Sequence, residues 1–174
     1  MKKNKKLFFL FITTLVVSTI FVFVVLTNQK HLPSATIGTI IEPLNGYLVT
    51  DIKQEKILLN RKFKNEKFII NIFSSWCVPC REEHKYLLKL KNNNIKVVGI
   101  NYKDNKRNMS IFLKELGNPY YAIVNDKDGY QSIKLGAFGV PETFIIDENK
   151  KIVLKQIGPI DDSVYYKFLK VIAK

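Results

Sequence analysis

The chain has 174 residues, 47% apolar and 25% charged, a composition that fits one ordinary folded domain and argues against disorder. Two cysteines exclude a disulfide-rich scaffold and a four-cysteine zinc site. Lys and Arg number 28 against 15 Asp and Glu, a net charge of +13. However, only Arg61, Arg81 and Arg107 are arginines, and there is no basic helix stripe or RNA-binding aromatic motif, so no nucleic-acid partner is predicted.

The first positions carry four lysines, Lys2, Lys3, Lys5 and Lys6, followed by a charge-free run, Leu7–Leu26. At 1.5 Å per residue such a run reaches about 30 Å, the thickness of a bilayer's hydrocarbon core. Its polar residues are Thr and Ser, whose hydroxyls can bond back to helix carbonyls. The lysine asymmetry predicts an N-terminus in the cytoplasm and the remaining chain on the far side of the membrane. A cleaved signal peptide is the competing reading, but residues 27–32 offer no small-x-small cleavage site.

Residues 27–36 read as a polar tether. Gly38, Pro43 and Asn45-Gly46 then punctuate short apolar pieces such as Tyr47-Leu48-Val49, which suggests a hairpin or an extended leader. Phe68–Phe73 is nearly continuous in apolar residues, as a central buried strand should be. A helix is predicted from Cys77 to Lys91, with Pro79 in its first turn and Glu82 and Glu83 near its positive end. Further on, strands are expected at Ile95–Tyr102, Tyr120–Val124, Thr143–Asp147 and Ile152–Ile157. Helices are expected at Asn108–Leu116, Ser132–Phe138 and after Asp161 or Asp162. Strands alternating with helices and ending in a hairpin predict an α/β fold, a mixed sheet with helices on both faces.

The chemistry concentrates at Ser75-Trp76-Cys77-Val78-Pro79-Cys80, a Cys-x-x-Cys between a buried strand and a helix. A helix N-terminus stabilises a thiolate on Cys77. Two intervening residues keep Cys80 within one turn, where it can attack a mixed disulfide on Cys77. As a mere staple the pair would be poorly placed, since a loop of about four residues contributes only about 2 kcal/mol. His84 shares a helix face with both cysteines, so a copper-carrying role for Cys77, Cys80 and His84 is an alternative, although no fourth ligand is evident.

Trp76-Cys77-Val78-Pro79-Cys80 after an apolar strand resembles the thioredoxin superfamily. Three further segments narrow the likeness: Cys80-Arg81-Glu82-Glu83-His84, Val97–Asp104 and Gly139-Val140-Pro141-Glu142-Thr143. Together with the N-terminal segment, they resemble the membrane-tethered thiol:disulfide interchange proteins of the DsbE/CcmG type, which serve cytochrome c maturation. The resemblance implies a thioredoxin-like domain at 37–174, after a basic tail (1–6), a transmembrane anchor (7–26) and the tether (27–36). It implies that Cys77 is the exposed nucleophile and Cys80 the resolving thiol, with no cofactor and no metal. It implies that Val140-Pro141 is a cis bond lying against the pair and that Val140 offers its backbone to a substrate peptide, with Trp76 and Glu142 in support.

Asn71 stands where thioredoxins carry a buried acid, and Asn cannot titrate. Glu142, Glu82 or Glu83 is expected to supply the acid–base group, with Glu142 the first choice because it follows the cis bond. The implied activity is protein-disulfide reduction at the bacterial inner membrane, on the periplasmic side. The implied partners are apocytochrome c or another maturation protein, and a membrane thiol relay as electron donor. A disulfide-forming oxidase of the same fold is the other alternative, because Val78-Pro79 alone does not fix the redox poise.

Overall fold

The computed structural model describes residues 2–27, 37–49, 54–58 and 62–173; within the first helix the described side chains are Lys6 and 8–21, and none is described for 45–49 and 54–58. The chain divides into two compact units, Met1–Leu32 and Pro33–Lys174.

The first unit is one helix, α1 (Lys2–Thr27), which begins within the lysine cluster rather than at Leu7. Thr13, Thr14, Ser18 and Thr19 each donate a hydroxyl to a carbonyl three or four residues back, so the polar groups of the apolar run are satisfied within the helix. Among the described residues, no helix is long and apolar enough to cross a membrane. The described side chains of α1, mainly 8–21, form a run shorter than the roughly 20 residues that a span takes. The expected tether lies outside the described residues beyond Thr27.

The second unit is a seven-stranded mixed sheet flanked, among the described residues, by four helices. Its elements are β1 (Asn45–Val49), β2 (Gln54–Leu58), β3 (Phe68–Phe73), α2 (Val78–Asn92), β4 (Val97–Tyr102), α3 (Lys106–Leu116), β5 (Ala122–Asp126), α4 (Tyr130–Lys134), β6 (Glu142–Ile146), β7 (Ile152–Ile157) and α5 (Asp162–Ile172). The strand order is β2-β1-β5-β4-β3-β6-β7. β3, β4 and β5 run parallel, while β6, β7, β1 and β2 add antiparallel edges. The early hairpin is present as β1–β2, but Asn45 and Gly46 open its first strand opposite Leu58 and Ile57; the connection, 50–53, lies outside the described residues.

Every residue of β3 is buried, which is why it reads as a continuous apolar run rather than an alternating one. The period of two still sorts its side chains into two cores. Ile69 and Phe73 join Val97, Leu87, Leu90, Phe112, Ile145 and Phe168 on the face covered by α2, α3 and α5. Phe68, Ile70 and Ile72 join Val98, Ile100, Phe144 and Ile146 on the other. Asn71 is in phase with Ile69 and Phe73, so this one polar residue of the strand points under α2. α2 buries Cys80, Glu83, His84, Leu87 and Leu90, the three-and-four spacing of a helix face, though two of those residues are ionisable. The last helix starts where its sequence directs: Asp161 is the N-cap and accepts from Val164 N at 2.8 Å.

Candidate active site

The cysteine pair is placed by the join of β3 to α2. Cys77 is the N-cap of α2 in extended conformation (φ −88°, ψ 109°), and Pro79 lies in the first turn. Its Sγ accepts a hydrogen bond from Cys80 N at 3.1 Å, the role that a Ser or Asp oxygen usually fills at a cap. A sulfur that caps a helix meets an N–H and the positive end of the dipole, and both favour thiolate over thiol. In this structure Cys77 and Cys80 are joined, S–S 2.06 Å. The oxidised pair is more covered than the sequence reading expects: Cys77 is 4% exposed and Cys80 1%. Packing explains this, because both sulfurs sit against the core beneath α2.

The loop before the pair is held by the end of β4. Ser75 N donates to Asp104 Oδ2 at 2.9 Å, Trp76 Nε1 donates to Lys103 O at 3.3 Å, and Ser74 Oγ donates to Tyr102 O. Trp76 is nevertheless 57% exposed, so its ring stands at the surface beside Cys77. On the opposite side, Val140-Pro141 is cis, as expected. Glu142, which follows it, pairs with Ile72 in the β3–β6 ladder. That register sets Pro141 at the same sheet end from which the chain enters the cysteine loop. Pro141 is buried and Val140 half-buried.

The three candidate acids part company. Glu82 is exposed on α2. Glu142 is buried, but on the wrong face: it is in phase with Phe144, not with Thr143 and Ile145, so it points away from α2. Its Oε1 accepts from Phe138 N at 2.6 Å and Gly139 N at 2.9 Å. Lys155 Nζ lies 3.0 Å from Oε2, as an ion pair that lacks hydrogen-bond alignment. Lys155 also donates to Gly136 O at 2.8 Å and sits 4.3 Å from the centre of the Phe138 ring. Glu142 thus braces the loop ahead of the cis bond, on the face of the sheet away from α2.

Glu83 is the acid. It is fully buried one turn past Cys80, on the buried face of α2. Asn71 Nδ2 donates to its Oε1 at 2.8 Å and to Thr143 Oγ1 at 3.0 Å, Tyr120 OH donates to Asn71 Oδ1 at 2.9 Å, and Ile160 N donates to Glu83 Oε2 at 2.9 Å. Burial pushes the Glu83 carboxyl up to about 7, against the pull of the bonds from Asn71 and Ile160. So the carboxyl that β3 lacks at Asn71 is supplied from the facing helix, and Asn71 becomes its donor. The sequence reading named Glu83 but ranked it below Glu142. Strand phase was the signal that could have reversed that order. Lys155 and Tyr120 were missed, because a lysine in an edge strand and a tyrosine in an apolar run carry no motif.

His84 is held by groups other than the cysteines. Its ring is buried, Nε2 lies 2.8 Å from Gly117 O, and Phe112 meets it edge-on at 5.0 Å. Burial pulls its pKa below the ordinary value, toward the neutral ring. Among the described residues, no group of three His, Cys, Asp or Glu could hold a metal ion.

Residues 29–169 match the Redoxin family. The chain is 34% identical over 144 residues to the thiol:disulfide interchange protein DsbE of Haemophilus influenzae, covering 82% of this chain and 78% of that one. It is 42% identical over 103 residues to the thiol:disulfide interchange protein CycY of Rhizobium leguminosarum bv. viciae, covering 59% and 55%. Among solved structures, a putative thiol:disulfide interchange protein DsbE from Chlorobium tepidum superposes with TM-score 0.66 at 21% identity, covering 80% of this chain and 98% of that one.

Proposed function

The chain belongs to the Redoxin family and is a thiol:disulfide oxidoreductase of the thioredoxin-like fold, and from that premise we propose that it is a membrane-anchored reductant of apocytochrome c. The observation that carries the reading is Cys77 at the N-cap of α2 with buried Glu83 one turn beyond Cys80. The Cys77 thiolate attacks one sulfur of the substrate disulfide. That bond breaks, a mixed disulfide forms, and the released substrate sulfur takes a proton. Glu83, whose pKa lies near neutral pH, accepts the proton of Cys80. The Cys80 thiolate then attacks Cys77 Sγ, the second substrate thiol leaves, and the pair is left oxidised as it stands here. Two electrons have passed to the substrate.

Apocytochrome c suits this chemistry as substrate. Its Cys-x-x-Cys-His site must have both thiols free before haem attaches. The names of the DsbE and CycY relatives support thiol:disulfide interchange as the shared activity. The charge-free run Leu7–Leu26 behind four lysines supports an anchor in the inner membrane, with the catalytic unit on the periplasmic side and a membrane thiol relay as its electron donor. The test is covalent trapping. A Cys80→Ser variant of the full chain, reduced and mixed with an oxidised Cys-x-x-Cys-His peptide, accumulates a Cys77-linked adduct, whereas Cys77→Ser does not. Absence of the adduct would contradict the proposal.

A further inference from the structure

Beside Trp76 lies a cleft of about 560 Å³, walled by Trp76, Lys103, Asp104, Lys106, Asn125 and Lys127. It opens at the carboxyl ends of the parallel strands β4 and β5, next to the first turn of α3. Its one carboxylate is already committed to backbone: Asp104 accepts from Ser75 N through Oδ2 and from Asn105 N through Oδ1. Elsewhere on the domain Lys67, Arg81, Lys96, Lys134 and Lys155 each have a carboxylate partner. Among the described residues, no carboxylate pairs with Lys103 or Lys127.

The lysine arm is built in. Lys103 has positive φ (45°), and a Cβ on Gly129, itself at φ +82°, would lie 2.7 Å from both Lys103 Cε and Tyr102 Cε2. Only glycine there lets the two side chains pass. The floor also has unspent polar capacity. Asn125, which lines the cleft, has a buried Oδ1 with no hydrogen-bond partner. A buried amide oxygen left in this state is costly, and a polar chain bound against Asn125 would relieve it.

We propose that this cleft is a docking subsite for an acidic peptide segment flanking the reactive cysteines of the disulfide-bearing partner. Lys103, Lys106 and Lys127 face its carboxylates, and Asn125 accepts one of its N–H groups. Trp76 joins the subsite to Cys77, so a segment seated there brings its disulfide to the nucleophile. The inference rests on the reductant reading above and adds a preference in charge.

The test uses the full chain, reduced and freed of reductant, in single turnovers with two peptides that each carry an internal Cys-x-x-Cys-His disulfide. One is flanked by three Glu and the other by three Gln. The Glu peptide is reduced about tenfold faster at 10 mM ionic strength, in the range of electrostatic steering, and the advantage closes toward unity near 0.5 M salt. The triple variant Lys103→Glu, Lys106→Glu, Lys127→Glu inverts the ratio. A control of the same net charge, Lys64→Glu, Lys167→Glu, Lys170→Glu, retains most of it. Equal rates at low salt, or an equal loss of preference in the control, would overturn the subsite while leaving the reductant intact. A wild-type chain that reduces neither peptide would overturn both.

Discussion

Replacing Glu83 by Gln should reshape the pH dependence of stability. In the folded chain the carboxyl titrates at about 7 instead of 4.5, because burial opposes its charge more than Asn71 and Ile160 favour it. Its folded pKa is raised. Between 4.5 and 7 the folded state therefore holds a proton that the unfolded state has released, and stability falls as pH rises through that window. The full effect is about 3 kcal/mol, complete above pH 7. His84 works in the opposite direction, since its lowered pKa makes the folded state resist protonation as pH falls. Subtracting the variant's unfolding free energy from the wild type's at each pH cancels that contribution. The assay is denaturant unfolding of the oxidised full chain at pH 4.5 and pH 8. The variant loses a bond acceptor and is less stable at pH 4.5, by about 1–3 kcal/mol. That deficit shrinks or reverses by pH 8, where wild type carries a buried charge and the variant does not. A deficit that stays constant across the range would refute the assignment of Glu83 as a carboxyl titrating near neutral pH.

Two further outcomes follow from the packing. Gly99→Ala places a Cβ 2.8 Å from Phe73 Cε1 and from Tyr120 Cδ1, so it destabilises by about 1–3 kcal/mol by overpacking and disturbs the Tyr120–Asn71 bond, read by denaturant unfolding and by the pH dependence just described. Lys155→Met leaves Glu142 buried and unpaired and costs about 3–5 kcal/mol, whereas adding Glu142→Gln recovers part of the loss in a double-mutant cycle; additive losses would contradict the buried pair.

The fold was legible where local and tertiary signals agree. Phe68–Phe73 is a central strand because five of its six residues are apolar and leave no polar face to offer water, and Asp161 caps α5 because its carboxylate meets an orphan N–H. Cys77, Cys80 and Pro141 were legible because their chemistry needs fixed residue types at fixed spacing. The choice among acids was not legible in the same way. Glu142 and Glu83 are both carboxylates near motif residues, and only strand phase and helix face separate the one that braces a loop from the one beneath the cysteines. Lys155, 13 residues past Glu142, joins it only through the β6–β7 hairpin. Asp104 and Tyr120 likewise gain their roles from neighbours that are distant in sequence, Ser75 and Asn71.

The central claim is the direction of electron flow, and the reduction potential of the Cys77–Cys80 pair tests it most directly. Equilibration of the full chain with dithiothreitol or glutathione mixtures should give a value well below about −180 mV, the range of a reductant. A value near about −120 mV would contradict the account, because the same fold and cysteines would then be forming disulfides rather than reducing them.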